Sequence, residues 1–288
     1  MEISNYLKKI YIPKADSHKG QNGRLLIIGG SYLFHAASIW ALKVASRIVD
    51  LVHYSSIDEN NKIVQDLKKE FEDGIVISRS EIENYIKEDD CILIGPGMIR
   101  SERAEILNYK VSILNLEEIN KIKNEGVQTY FLTKYLVRKY PQKKWVIDAG
   151  ALQMLDPEDI PPNAILTPHH KEFDLLKSKS KIDDAKLFVK KYSCVILLKG
   201  KEDTIVDKNN SEIISGGNAG MTKGGTGDVL AGLVAALYCK NDAFISAVTA
   251  SYVNKKAGDE LYEKMGLWFN ASDLADQIPL TMKQLLLP

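Results

Sequence analysis

The chain has 288 residues, 38 Lys+Arg against 38 Asp+Glu and 45% hydrophobic positions, which excludes a disordered or bilayer-embedded composition and fits an ordinary globular protein. Zero net charge argues against nucleic acid or an anionic membrane as partner, so a polyanionic ligand would have to be held by local groups. No stretch approaches the about 18 apolar residues that span a bilayer, and the opening MEISNYLKKIYIPKADSHKG has no apolar core for a signal peptide, so a cytoplasmic location is expected.

In chain order, short apolar β-branched runs predict strands at 24–28 (RLLII), 51–54 (LVHY), 75–77 (IVI), 91–94 (CILI), 145–147 (WVI), 164–166 (AIL) and 194–198 (CVILL). Helical segments are expected over 35–49, 117–124, 128–140, 171–177 and 183–192. Strands alternating with helices in this way predict βα units and a mostly parallel sheet covered on both faces. From 203 to 215 the rhythm changes. DTIVD and SEIIS flank Lys208-Asn209-Asn210, which predicts an antiparallel hairpin at one sheet edge. Two Ala-rich helices follow over 226–239 and 242–264, the first apolar nearly all round and therefore buried. With no repeat and no linker signal, a single α/β domain over residues 1–288 is expected. Cys91, Cys194 and Cys239 form no CxxC pair and read as free buried thiols, and the five His residues lack a zinc spacing.

The most informative stretch is GGNAGMTKGGTGDVL at 216–230. Glycine lets the backbone take positive φ and lets a ligand approach, and the first amides of the helix that follows have no partner within the helix. Amides gathered at a helix start would hold a phosphate or a developing oxyanion. Asp228 falls in the first turn. It could simply favour the helix dipole, but a carboxylate beside an anion site adds repulsion unless it has a task such as taking a proton from an attacking hydroxyl. No GxxxxGK[ST] occurs, and Leu230 stands where GxGxxG needs glycine, so P-loop and dinucleotide fingerprints are excluded.

Three further junctions follow strands: Gly29-Gly30-Ser31, Gly95-Pro96-Gly97 and Lys199-Gly200. In an open α/β sheet such ends line one ligand crevice, although each alone reads as a tight turn. Lys199 is either a solvated cap or a phosphate ligand. In Leu166-Thr167-Pro168-His169-His170-Lys171-Glu172, Glu172 either favours the next helix dipole or supports Mg²⁺ through water, with His169 as a substrate contact. Asp148 either faces the crevice or caps the next helix.

Taken in order, GRLLIIGGSYLFHAA, ILIGPG, VIDAGAL, LTPHHKEF, VILLKG and GNAGMTKGGTGDVLAGLVAALY, with the late AGDELYEKMG and ASDLADQIP, resemble the ADP/ATP-dependent NAD(P)H-hydrate dehydratases, the carbohydrate-kinase-like half of the YjeF proteins. The resemblance implies a ribokinase-like three-layer α/β/α fold. It also implies a lyase that restores hydrated NADH or NADPH, in its S form, by phosphorylating the ring hydroxyl and eliminating the phosphate, with ADP converted to AMP and phosphate. On matching positions, Asp228 would deprotonate the hydroxyl and the amides of Gly225, Thr226 and Gly227 would neutralise the moving phosphoryl group. Gly227 would also touch the nucleotide, ADP or ATP. Lys199, Gly200, Lys201, Glu202, Asp203 and Thr204 would hold that donor, and Ala37, Gly97, His169 and Asp228 would contact the hydrate. Mg²⁺ would bridge donor phosphates, with Glu172 as its acidic support. Relatives imply a homo-oligomer, perhaps a tetramer. The residues before Gly23 are too few for an epimerase domain, so a separate epimerase is expected alongside.

The sequence departs from the family at Phe34-His35-Ala36-Ala37, at Asp148-Ala149-Gly150, at His170-Lys171 and at Met98-Ile99, all outside GGTGD. Two rival readings are a small-molecule kinase of the same superfamily, whose product keeps its phosphate, and a nucleotide-binding regulator without catalysis.

Overall fold

The computed structural model describes residues 3–109 and 115–287, among which nine strands form one sheet in the order β3-β2-β1-β4-β5-β6-β7-β8-β9. These are β1 (Arg24–Ile28), β2 (Leu51–Ser55), β3 (Ile75–Val76), β4 (Cys91–Ile94), β5 (Lys144–Ile147), β6 (Ile165–Leu166), β7 (Val195–Leu198), β8 (Asp203–Val206) and β9 (Ser211–Ile214). Strands β1 to β7 run parallel, and β8 and β9 join them antiparallel. The edge hairpin is the one the sequence predicts. Asp207 Oδ1 accepts the Asn209 amide at 2.7 Å and the Asn210 amide as well, an Asx turn that sets the pairing of Val206 with Ser211.

Parallel strands bury both faces, and alternate residues divide between two cores. Leu25, Ile27, Cys91 and Leu93 face the helices Ala36–Ala45, Thr226–Lys240, Ala243–Met265 and Ala271–Leu286. Leu26, Ile28, Ile92, Ile94 and Trp145 face Ile82–Glu88, Glu125–Lys139, Ala149–Met154, His170–Ser180 and Ala185–Tyr192. The result is three layers, α/β/α. The Thr226–Lys240 helix is buried along nearly its whole length, as its apolar circumference predicts.

Several helices differ from expectation in their ends. The predicted 35–49 helix is Ala36–Ala45, because the Ala45 carbonyl takes the amides of Ile48 and Val49 and the chain then turns so that Asp50 and Leu51 reach Gly23 and start β2. The predicted 117–124 and 128–140 segments are Leu116–Asn120 and Glu125–Lys139, each started by an asparagine: Asn115 accepts the Glu118 amide at 2.9 Å and Asn124 the Val127 amide at 3.1 Å. Asp58–Asp66, Ile82–Glu88, Ala149–Met154 and Ala271–Leu286 are further helices outside the predicted segments. All three cysteines are buried and free. Among the described residues no helix is long and apolar enough to cross a membrane.

The strand order places a switch between β1 and β4. From β1 the chain builds outward through β2 and β3, then returns to lay β4 on the other side of β1. Loops leaving the carboxyl ends of these two strands diverge and leave a crevice there.

Candidate active site

The first two predicted junctions meet in that crevice. The Gly30 amide donates to the Pro96 carbonyl at 2.7 Å, tying the β1 loop to the β4 loop. Gly97 has φ +74°, and a side chain there would fall 2.8 Å from the Phe34 carbonyl oxygen and 3.0 Å from Ala37 Cβ. Only glycine lets the β4 loop lie against the start of the Ala36–Ala45 helix. Gly97 and Ala37 therefore share one wall.

Lys199 joins the same site through β5 and β6. Asp148, 2% exposed at the end of β5, accepts Thr167 Oγ1 at 2.7 Å and Lys199 Nζ at 2.8 Å on its Oδ1. It makes no side-chain cap to the helix it precedes, so of the two sequence readings the one facing the crevice holds. Lys199 Nζ also stands 3.6 Å from where a Cβ on Gly227 would lie, which puts the ammonium beside the start of the Thr226–Lys240 helix.

That helix start is held open by packing. Gly225 is its N-cap residue at φ +97°, and a Cβ there would come within 2.3 Å of the Trp40 ring. Thr226 Oγ1 donates to the carbonyls of Met221 at 2.7 Å and Lys223 at 3.0 Å, closing the loop upon itself. The Thr226 amide reaches the Lys223 carbonyl at 3.4 Å, whereas the amides of Gly225 and Gly227 have no acceptor among the described residues. These two are the free donors of the predicted anion site.

Asp228 stands next to them with no side-chain partner among the described residues. Burial, with the Asp148 charge behind it and the Glu172 charge adding less, pushes its carboxyl up to about 7 against the pull of Lys199 and its own amide. For Lys199 burial pulls downward, but Asp148, Glu172 and Asp228 together hold the ammonium above its ordinary range. Three carboxylates thus surround one cation. Burial first, and the neighbouring negative charge second, raise the Asp228 carboxyl toward neutrality, the direction that suits a general base.

His169 and Glu172 begin the His170–Ser180 helix as a capping box. The Glu172 amide donates to His169 Nδ1 at 3.2 Å, and the His169 amide donates to Glu172 Oε2 at 2.9 Å. Glu172 Oε1 accepts Gln153 Nε2 at 2.9 Å. The structural role that the sequence allowed for Glu172 is therefore present, and its charge still acts on Lys199 and Asp228. Backbone pairing of His169 with Lys199 brings this helix start to the same site.

On the far side of Gly227 lies a cavity of about 510 Å³. Lys199, Gly200, Lys201 and Asp203 line it, together with Gly216, Thr226 and Gly227. Glu202 and Thr204 do not: Glu202 accepts Ser215 Oγ at 2.7 Å at the surface, and Thr204 pairs with Ile213 within the hairpin. Asp203 is an anchor, accepting the Gly200 amide at 2.9 Å and Ser251 Oγ at 2.8 Å, with Lys255 Nζ at 3.3 Å. Lys255, 6% exposed, donates to the carbonyls of Gly200 at 3.1 Å and Lys201 at 3.0 Å. Asp259 accepts the Gly217 amide at 3.1 Å, and Asn218 Nδ2 donates to the Gly258 carbonyl at 2.8 Å. Sequence reasoning did not single out Lys255 or Asp259. Nothing local sets them apart, because Lys256, Glu260, Glu263 and Lys264 crowd the same half of the helix.

Among the described residues no cluster of three or more His, Cys, Asp or Glu side chains is arranged to hold a metal. A magnesium ion bound mainly by phosphate and water needs only one or two carboxylates, and the surplus of negative charge around Lys199 is compatible with one.

Residues 25–280 match the family model described as NAD(P)H-hydrate dehydratase. A bifunctional NAD(P)H-hydrate repair enzyme of Methanocaldococcus jannaschii is 35% identical over 287 residues, 96% of this chain and 51% of that protein. An ADP-dependent (S)-NAD(P)H-hydrate dehydratase of Nitrosopumilus maritimus is 31% identical over 98% of this chain and 96% of its own. The chain spans about half the length of the bifunctional relatives it matches, 51% to 53% for three of them. Among solved structures, a ribokinase-like superfamily protein of Enterococcus faecalis superposes with a TM-score of 0.79 at 22% identity, covering 99% of this chain and 95% of the other. The ADP/ATP-dependent NAD(P)H-hydrate dehydratase of Bacillus subtilis, co-crystallised with ATP and Mg²⁺, gives 0.71 at 20% identity, covering 98% and 97%. The expected ribokinase-like architecture is the one observed.

Proposed function

The chain belongs to the NAD(P)H-hydrate dehydratase family, and from that premise we propose that it converts the S form of hydrated NADH or NADPH back to the reduced cofactor at the expense of ADP. The observation that carries this reading is Asp228: a carboxylate pushed up to about 7, without a side-chain partner, beside the free amides of Gly225 and Gly227 and next in the chain to Gly227, which lines a cavity together with Lys199.

In this reading the donor occupies the cavity with its phosphates toward Lys199 and the amides of Gly225 to Gly227. The hydrate approaches from the wall of Ala37 and Gly97, with His169 at its edge. Asp228 takes the hydroxyl proton as the ring oxygen bonds to phosphorus and the bond from phosphorus to the bridging oxygen breaks, releasing AMP. The fixed amides and the ammonium neutralise charge that grows on the phosphoryl oxygens. The ring carbon–oxygen bond then breaks with its electron pair leaving on phosphate, and the neighbouring carbon loses a proton to form the double bond. Hydrate and ADP become reduced cofactor, AMP and inorganic phosphate, so the overall change is a dehydration catalysed on a kinase scaffold.

Glu172, through water, together with the donor phosphates would hold Mg²⁺, whose chemistry when bound is to neutralise phosphate charge. Gly200, Lys201 and Asp203 shape the donor loop, with Glu202 and Thr204 at its outer edge. A cytoplasmic location, a homo-oligomer of four chains and an epimerase acting alongside belong to the same proposal, as does residues 1–288 acting as a single dehydratase domain.

Incubation with hydrated NADH, ADP and Mg²⁺ tests it. Reappearance of the dihydronicotinamide absorbance with one inorganic phosphate released per turnover is the expected result. Accumulation of a stable phosphorylated product would make the protein a small-molecule kinase instead.

A further inference from the structure

The start of the Thr226–Lys240 helix is gripped by a side chain that the mechanism above does not use. Trp40 lies on the Ala36–Ala45 helix one turn after Ala37, the residue that shares a wall with Gly97. Its ring is partly buried, and its Cζ3 and Cε3 would stand 2.3 and 2.4 Å from a Cβ on Gly225. Ala271 Cβ crowds the same position at 2.8 Å, so two helices meet on one glycine. The indole is itself fixed. Trp40 Nε1 donates to Ser272 Oγ at 3.0 Å, and Ser272 stands in the first turn of the Ala271–Leu286 helix, where Asn270 accepts the amides of Ser272 at 2.8 Å and Asp273 at 3.2 Å. With few χ angles and its N–H tied, the ring is a stiff plate. Farther along, a Cβ on Gly232 would fall 2.7 Å from the Ala41 backbone, so the helix that carries Trp40 and the helix that begins at the free amides touch backbone to backbone.

We propose that Trp40 is a positioning residue for phosphoryl transfer. Held by Ser272, its indole sets the Gly225 backbone, and with it the direction of the unpaired amides at the helix start. Gly225 is the N-cap residue at φ +97°, so a small rotation there would turn its own amide and shift the first turn that carries the Gly227 amide and Asp228. A glycine at that position is free to rotate unless something packs against it, and Trp40 with Ala271 supplies the packing. The same helix presents Ala37 to the β4 loop, so the hydrate wall and the anion site are referred to one rigid element. The role deepens the proposed function and rests on those amides meeting the moving phosphoryl group.

Steady-state kinetics of the full chain with hydrated NADH and ADP, native and with Trp40→Leu, Ser272→Ala or Ser272→Thr, test it. Well below its Tm, Trp40→Leu is expected to lower kcat about tenfold to thirtyfold with KM for both substrates within roughly threefold, because the aim of the amides matters most as charge moves. Ser272→Ala leaves the indole in place but unties it, and should lower kcat about threefold to tenfold; Ser272→Thr keeps the acceptor oxygen and should return kcat to within about twofold of native. A binding measurement separates aim from stability. Affinity for AMP with aluminium fluoride, a stand-in for the moving phosphoryl group, should fall about as far as kcat in Trp40→Leu and Ser272→Ala while ADP affinity holds. A lower Tm with native kcat and native affinity for AMP with aluminium fluoride would make Trp40 a packing residue and overturn the inference. Should Trp40→Leu fail to fold, Ser272→Ala against Ser272→Thr decides by the same two readouts. Absence of phosphate release by the native chain would overturn the proposed function, and this inference with it.

Discussion

The two sides of the proposed site, the donor side and the acceptor side of the reading above, are built differently. On the donor side, Lys255 ties the Gly200 and Lys201 carbonyls, Asp203 ties the Gly200 amide, and Asp259 with Asn218 ties the start of the glycine-rich loop, all with buried or half-buried partners. On the acceptor side, Tyr32, Leu33 and Phe34 are 72%, 66% and 52% exposed, and their turn is held by the Phe34 amide on Ser31 Oγ at 3.0 Å and the Tyr32 amide on Glu125 at 3.2 Å. The proposed donor side is tied by the protein's own hydrogen bonds, which would suit phosphoryl transfer, where charge must be met by dipoles already in place. The acceptor side leaves three apolar side chains in water that a bulky ring substrate can cover. The family departures at Phe34 to Ala37 and at Met98-Ile99 fall on that second side.

If this contrast is right, changes at the phosphoryl-transfer centre should damage turnover and changes on either flank should damage one substrate each. The largest effect belongs to Asp228→Asn, expected to lower kcat by about 10³-fold or more while ADP affinity stays within roughly threefold, read from steady-state rates and equilibrium binding. Gly225→Ala follows, because its Cβ meets Trp40 and its φ is positive; a fall of about 10²-fold in kcat together with a lower Tm is expected. Lys255→Met unties the donor loop and should raise KM for ADP about tenfold with KM for the hydrate nearly unchanged. Tyr32→Ala with Phe34→Ala should do the reverse, raising KM for the hydrate by roughly three- to tenfold and leaving ADP alone. Equal damage to both substrates in either case would break the division.

The smallest effect is on stability, and its sign follows from the raised Asp228 carboxyl. Its folded-state value of about 7 lies above the ordinary 3.8, so the contribution to folding is fully present below about 4 and is lost as pH rises through about 7. Asp228→Asn cannot ionise and should therefore unfold a few degrees higher than the native chain above about pH 7, with the gap closing near pH 4. Wild-type turnover should fall over the same interval as pH is lowered, because the base becomes protonated.

Much of this was legible in the sequence. Strands such as RLLII and CILI are short apolar runs that end at a glycine, and each lies within a residue or two of its predicted span. The Gly225 to Asp228 stretch announced both the open helix start and the acid beside it. Less legible were features that depend on pairing across the fold. Asp148 was ambiguous because a strand-end carboxylate can cap a helix or face a crevice, and only the approach of Lys199 and Thr167 from β7 and β6 decides between them. Glu172 was equally open, and its capping box with His169 supplies the local half of the answer. Lys255 sits 27 residues past Asp228 inside a helix whose composition signals burial, and only the packed fold shows its ammonium tying the Gly200 and Lys201 carbonyls.

The central claim is that the hydroxyl of the hydrate is phosphorylated at Asp228 before it leaves, and an oxygen label tests it most directly. Hydrate carrying ¹⁸O in its ring hydroxyl should, on turnover with ADP, deliver that oxygen to inorganic phosphate, because the carbon–oxygen bond breaks while the new oxygen–phosphorus bond survives. Recovery of the label in water, with unlabelled phosphate, would mean that the hydroxyl departs without ever meeting the phosphoryl group, and the account would be wrong.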